Sequence, residues 1–382
     1  MEYRILGRTG LKVGAIALGC EGFADKTTEE VRADFDFAIR NGINFLDLYA
    51  SNPTLRSNIG AALAGRREKF VIQGHLCSVW EEGQYLRTRD PEKSQAAFED
   101  MLARLGTDYV EIGMIHYVDA EADLREVLDG PIMRLAQRLR SEGRIRHIGL
   151  SSHNPVVAHM AARTGLIDVL MFSVNPCYDL LPPSDDVDTL WADESYAREL
   201  HNIDPERQRL YEFCEREGIA IDVMKAYGGG DLLSDANSPF GRPMTPVQCL
   251  EYALTRPGVA AVMAGCRSRT EIEAALAWCS ATAAERDYTG ALAGLDKFSW
   301  EGHCMYCGHC APCSVGIDIA GVNKYYNLTL AQHEIPETVR EHYRLLPHHA
   351  SECIACGRCE RNCPFGVDII GHMRLAAAKF GY

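Results

Sequence analysis

The 382-residue sequence contains no apolar run approaching the roughly 20 residues that cross a bilayer. Its opening, Met1-Glu2-Tyr3-Arg4, lacks the features of a secretory signal, so the expected location is the cytoplasm. It also lacks a basic excess. Lys and Arg number 39 against 53 Asp and Glu, a net charge of −14. That balance argues against nucleic acid or an anionic membrane as the main partner, because both need clustered cations. There is no low-complexity tract, and no Gly-x-Gly-x-x-Gly turn follows the first expected strand, which counts against an open doubly wound sheet. Cysteine, by contrast, is plentiful at fifteen. An odd total without an export signal argues against a disulfide framework. Seven (Cys20, Cys77, Cys177, Cys214, Cys249, Cys266, Cys279) are scattered, and eight crowd into positions 304–363. Metal binding is the better explanation for the crowd.

From residue 13 to about 280, short runs rich in Val, Ile and Phe alternate with stretches of helical spacing. The expected strands are Val13–Gly19, Ile43–Tyr49, Phe70–His75, Tyr109–His116, Ile145–His153, Ile167–Asn175, Ile219–Lys225 and Val259–Gly265. Helices are expected at Thr28–Arg40, Pro91–Arg104, Leu124–Ser141, Pro205–Arg216 and Thr245–Thr255, several of them ending at Gly. Eight βα units are the number that closes a (β/α)8 TIM barrel, which takes roughly 250 residues. We therefore expect a barrel over 1–296 and a small C-terminal domain over 297–382. Two connections leave the C-terminal strand ends and are too long for simple links. Residues 77–90 and the acidic stretch 176–204 read either as a lid or docking surface or as solvated loops.

The C-terminal domain carries Cys304-x2-Cys307-x2-Cys310-x2-Cys313 and then Cys353-x2-Cys356-x2-Cys359-x3-Cys363-Pro364. The second run has bacterial ferredoxin spacing, in which three thiolates wrap one cubane and the fourth reaches the neighbouring cluster. We assign Cys304, Cys307, Cys310 and Cys363 to one [4Fe-4S] cluster, and Cys353, Cys356, Cys359 and Cys313 to the other. In the first run the last gap is two residues and Ser314 stands where Pro usually follows. The alternative is a pair of structural zinc sites. Two matched quartets, with Cys363-Pro364 closing one, favour iron–sulfur clusters. The segments 313–319 and 363–369 repeat each other, as expected of a duplicated ferredoxin-like fold.

The opening Tyr3-Arg4-Ile5-Leu6-Gly7-Arg8-Thr9-Gly10-Leu11-Lys12-Val13 resembles the N-terminal hairpin of the aldo-keto reductases. So do Asn41-Gly42-Ile43-Asn44-Phe45-Leu46-Asp47, the run from Asp108 to His116, and Gly149-Leu150-Ser151-Ser152-His153. With its cysteine-rich end, the whole chain is similar to the branch of that family carrying a C-terminal [4Fe-4S] domain. The resemblance implies a pocket at the barrel's C-terminal mouth and carbonyl reduction or alcohol oxidation with NAD(P). The family's chemistry uses a Tyr general acid, a Lys paired with an Asp, and a His. Asp47 and His116 match the Asp and the His. Asn52 stands at the Tyr position and His75 at the Lys position. Asn is not an acid, and His is not a permanent cation at pH 7. For the nicotinamide, the resemblance points to Ser151, Asn175, Gly228, Gly229 and Gly265, with Arg267 and Arg269 as phosphate partners and Glu271 where an Arg commonly holds a 2′-phosphate.

Asp47, His75, His116 and His153 end strands and should meet at one mouth, with Tyr49 on the same strand parity as Asp47 and Lys225 ending the seventh strand. Three readings follow. His75 and His116 act as acid and base with Asp47 orienting one imidazole, or the three His and Asp47 hold an additional metal, or Asp47 pairs with a His as structure alone. The expected protein is an iron–sulfur oxidoreductase that passes electrons between two clusters and a small polar carbonyl or alcohol, with a nicotinamide or a flavin as two-electron partner. A ferredoxin or flavodoxin is a candidate electron carrier. The alternatives are an NAD(P)H-dependent carbonyl reductase with structural clusters, a non-catalytic redox sensor, and a redox-neutral lyase or isomerase.

Overall fold

All eight expected strands form, each within a few residues of its expected limits. They are β1 (Ile16–Gly19), β2 (Phe45–Leu48), β3 (Val71–Leu76), β4 (Val110–Ile115), β5 (Ile145–Ser152), β6 (Val169–Ser173), β7 (Ala220–Met224) and β8 (Val259–Gly265). In this computed structural model, which describes residues 1–293, 295, 297–330 and 335–382, they close into a parallel barrel in chain order, with β8 beside β1. The expected domain border falls on Asp296, which lies outside the described residues.

Strand parity sorts the side chains. Inward-facing Ala17, Phe45, Ile112, Met114, Val169, Met171, Ala220 and Met263 fill the barrel, and Leu6 and Val13 join that cluster. Leu6 and Val13 come from the N-terminal hairpin, whose strands Tyr3–Ile5 and Lys12–Gly14 pair antiparallel. Outward-facing residues pack under the helices. Several helices start where a side-chain oxygen caps them: Thr27 with Glu30 in a capping box, Asp90, Asp204, and Thr245 with Gln248.

The expected single helix over 124–141 is two, Glu121–Asp129 and Pro131–Ser141. Pro131 cannot donate to the preceding turn, so it starts a new helix instead. A helix over Pro53–Leu63 was not expected. Residues 77–90 hold an antiparallel hairpin, Ser78–Glu81 against Gln84–Arg87. Residues 176–204 run through three 3-10 turns to Leu200–His201, which pairs with Phe298–Ser299 ahead of the cysteine-rich domain.

The C-terminal domain repeats its backbone. Tyr306 and Ala355 are both left-handed (φ +55° and +52°), as are Gly308 and Gly357, and Gly316 and Gly366. Asp318 and Asp368 each accept the N–H three residues on, at the heads of helices Ile319–Leu330 and Ile369–Phe380. Those two helices pack on each other. The domain is fastened to the barrel by Lys324–Glu215 (2.6 Å) and by the buried Arg256 and Tyr288, which both donate to the Met305 carbonyl. No helix among the described residues is long and apolar enough to cross a membrane.

Candidate functional site

The barrel mouth gathers one continuous line of polar side chains. Gln73 Nε2, on β3, donates to Asp222 Oδ2 on β7 and to Asp47 Oδ1 on β2, both at 2.9 Å. Asp47 Oδ1 also lies 2.9 Å from His75 Nε2. His75 Nδ1 is 2.8 Å from His116 Nδ1, and His116 Nε2 is 2.6 Å from the hydroxyl of Tyr85 in the 78–87 hairpin. Asp222, Gln73, Asp47 and His75 are buried. Burial pushes the Asp222 carboxyl well above the carboxylate range, with the neighbouring Asp47 adding to the rise. Burial, then His75 and Arg89, hold His116 well below the ordinary imidazole value, so it is neutral at pH 7. Burial also raises the Tyr85 phenol to about 12.

Tyr49 stacks parallel on His116, ring centroids 5.6 Å apart, and stands edge-on to Tyr85. Burial, followed by the Glu21 carboxylate, pushes its phenol up. His153 does not join this line. It pairs with Asp119 at 2.9 Å, and Asp119 also receives the His153 N–H and the Ser152 hydroxyl. Burial alone would raise the Asp119 carboxyl, but the His153 bonds bring it below its usual value. The three-His, one-Asp metal set is therefore not assembled. Among the described residues no group of three or more His, Cys, Asp or Glu side chains could hold a single ion.

Asn52 has a structural task. It is the N-cap of Pro53–Leu63, its Oδ1 accepting from Leu55 N at 3.0 Å. Ser151 and Asn175 are likewise committed to backbone. Ser151 Oγ accepts from Tyr117 N (2.7 Å), and Asn175 ties Lys225 O to the N–H groups of Cys177 and Tyr178. Lys225 has a left-handed backbone, and its ammonium lies 5.1 Å from the Trp191 ring centroid. Gly228 and Gly229 form the next turn at φ +60° and +72°. Gly265 ends β8. Arg269 turns to the first helix, donating to Ala33 O, while Arg267 is exposed. The Glu271 carboxylate takes the Arg267 N–H, and Ser268 caps helix Arg269–Leu276. A 2′-phosphate at that helix start would meet a carboxylate already in place.

The eight clustered cysteines line two separate pockets. Cys304, Cys307, Cys310 and Cys363 surround one, and Cys313, Cys353, Cys356 and Cys359 the other. The last thiol of each run thus joins the other run's three. Ser314 Oγ lies 3.8 Å from Cys356 Sγ.

Tyr85 was not among the residues singled out from the sequence. Its only sequence signal is an aromatic in an overlong connection leaving a C-terminal strand end. Three residues beyond strand ends at this mouth, Cys77, Tyr117 and Lys225, are left-handed without being glycine, a form of strain that concentrates at functional sites.

Residues 11–246 match the aldo/keto reductase family, and residues 303–368 match the 4Fe-4S dicluster domain. L-galactose dehydrogenase of Arabidopsis thaliana is 24% identical over 306 residues, covering 72% of this chain and 86% of the relative. The uncharacterized oxidoreductase YqkF of Bacillus subtilis is 27% identical over 176 residues, and that match spans 45% of this chain and 56% of the relative's own length. The holo form of aldo-keto reductase AKR11C1 from Bacillus halodurans superposes with a TM-score of 0.57 at 24% identity, over 75% of this chain and 94% of that one, and shares the fold. With more than half its length matched by that family and a dicluster domain at its end, the chain belongs to the aldo/keto reductases and is an oxidoreductase of that type with a 4Fe-4S domain.

Proposed function

We propose that the barrel mouth exchanges hydride with a small polar alcohol or carbonyl through NAD(H), and that the cysteine-rich domain holds two [4Fe-4S] clusters as electron partners. The observation that carries this is the hydrogen-bonded line from Asp47 through His75 to His116. It offers an acid–base path where the family's Tyr and Lys positions hold Asn52 and His75. A bound nicotinamide supplies or takes the hydride, while His116 and His75 move the proton and Asp47 orients His75. Gly265 and Arg267 border the nicotinamide site, and Glu271 beside Arg267 favours NAD over its 2′-phosphorylated form. Crossed quartets, Cys304, Cys307, Cys310 with Cys363 and Cys353, Cys356, Cys359 with Cys313, suit two cubanes. Cys356 is exposed beside Arg358 and Arg361, a place where a small acidic carrier of the ferredoxin or flavodoxin kind would deliver or collect electrons.

A second reading, in which the clusters are structural, is favoured by where the first quartet docks. Arg256 leads into β8 and Glu215 ends the helix leading to β7, so both fastenings lie at the strand N-termini, opposite the mouth. The protein purified without oxygen and titrated with NADH, then NADPH, with dithionite as reference, separates the two. Bleaching of the cluster band by NADH supports the first reading. Nucleotide binding without bleaching, with turnover that survives cluster reduction, supports the second. Neither binding nor bleaching overturns the nicotinamide assignment.

A further inference from the structure

We infer that Tyr85 is the group that takes the proton from an alcohol at the barrel mouth, and that the line behind it is set to oxidise a hydroxyl; this rests on the hydride-transfer reading above. The line is buried at Asp222, Gln73, Asp47 and His75 and reaches its most exposed point at Tyr85, 37% exposed, where a diffusing molecule can touch it.

Counting hydrogens fixes its direction. A carboxylate only accepts, so His75 Nε2 carries the hydrogen shared with Asp47. With one hydrogen on each imidazole, the other nitrogen of His75 is then an acceptor, so the hydrogen between the two rings sits on His116 Nδ1. His116 Nε2 is an acceptor in turn, and the Tyr85 hydroxyl donates to it. From Asp47 outward every donor points inward, away from the mouth, which leaves a lone pair of the Tyr85 oxygen facing the substrate side. As the substrate O–H proton passes to Tyr85 Oη, the phenol proton moves to His116 Nε2, the His116 Nδ1 proton to His75 Nδ1, and the His75 Nε2 proton to Asp47. A bound oxidised nicotinamide would supply the acceptor for the hydride of the carbinol carbon, which balances the conversion of the alcohol to a carbonyl. One added proton on the imidazole pair would leave His75 Nε2 donating to Asp47 but turn around the donors from His75 Nδ1 outward and aim the Tyr85 hydrogen outward, as carbonyl reduction needs. The groups facing the pair are Asp47 from β2 and Tyr49 just after it, Tyr85 and Arg87 from the hairpin, Arg89 just beyond it, Tyr117 after β4 and His153 after β5. Burial and the nearby cations oppose that extra proton on His116.

The hairpin is built to hold the phenol still. Ser78 Oγ donates to Tyr49 O (2.5 Å), Ser51 Oγ to Val79 O (2.7 Å), Arg87 to Tyr117 O (2.9 Å) and Arg89 to His116 O (2.9 Å). Arg89 is itself fixed on Asp123 by two hydrogen bonds.

The test uses the anaerobic holoenzyme with NAD+ and a panel of aldoses, polyols and secondary alcohols. For Tyr85→Phe we expect kcat for oxidation to fall by about 10²–10⁴-fold with KM little changed, and the pH–kcat profile to change shape. Oxidation by the parent enzyme with kcat of Tyr85→Phe within about tenfold, or a loss confined to Tyr49→Phe, overturns the inference. The ¹⁵N spectrum of histidine-labelled protein needs no substrate. It must show His116 and His75 as single tautomers, protonated on Nδ1 and Nε2 respectively, with the His116 Nε2 resonance displaced in Tyr85→Phe. The opposite tautomers overturn the wire even where no alcohol on the panel reacts, whereas absence of any nucleotide-linked turnover with the expected tautomers counts against the hydride-transfer reading alone.

Discussion

The cysteine-rich domain and the barrel mouth bring reactive groups together by opposite means. In the domain, gaps of two or three residues and left-handed turns at Tyr306 and Ala355 place three thiols of each quartet within one loop. At the mouth, Asp47, Gln73, His75, Tyr85, His116 and Asp222 come from four strands and a hairpin, and only closure of the barrel makes them neighbours. The first design is modular, because losing a ligand should damage one quartet. The second is serial, because a change at one member resets the donors and acceptors of all the others.

The largest effect expected is in the domain and tests its modularity. Cys363→Ser should remove the cluster held by Cys304, Cys307 and Cys310, although Cys363 belongs in sequence to the second run. About half the iron and half the visible absorption should go, while the far-ultraviolet spectrum of the barrel persists. Iron analysis and electron paramagnetic resonance of the reduced protein check this. Loss of both clusters together would show that the quartets are not separable, and the contrast with the mouth would collapse.

Next in size is Asp47→Asn, which probes the serial design at its buried end. An amide turned to give its NH2 to His75 Nε2 would force the opposite tautomer and reverse the line as far as Tyr85. We expect kcat to fall by about 10²–10⁴-fold. The His116 and His75 ¹⁵N resonances should move together, although of the two imidazoles the substitution touches only His75. A shift at His75 alone would mean that the two imidazoles are independent, and the mouth would then be as modular as the domain.

That contrast also governs what was legible before the structure. Spacing within a loop is written in the sequence, so both quartets and the crossing of Cys313 and Cys363 could be read from Cys-x2-Cys gaps, and the cavities have those linings. The eight strands were legible because β-branched runs buried on both faces stand out. The meeting of Asp47, His75 and His116 followed from their places at C-terminal strand ends of a barrel. Tyr85 did not, because nothing local distinguishes it from Tyr117 or Tyr49; its place depends on how the hairpin folds back over β4. His153 was drawn to the same mouth because it too ends a strand, but the buried Asp119 claims it. Helix Pro53–Leu63 was hidden because its inward face includes Arg56 and Asn58, both buried on hydrogen bonds to main-chain carbonyls, which erases the usual apolar stripe.

The smallest effect separates a residue beside the line from one within it. Asn52 stands five residues beyond Asp47, and its carbonyl oxygen satisfies an N–H at the head of the helix that follows β2. Asn52→Ala should therefore cost about 0.5–2 kcal/mol of stability, the usual penalty for a lost N-cap, and Asn52→Asp should restore most of it. Thermal or denaturant unfolding measures both. If Asn52 instead meets the substrate, Asn52→Ala will lower kcat by a hundredfold or more at unchanged stability, and Asn52→Asp will not rescue it. The cap account predicts that stability moves first and the acid derivative recovers it, because an N-cap needs only an acceptor oxygen and, at a helix N-terminus, is served as well by a carboxylate as by an amide.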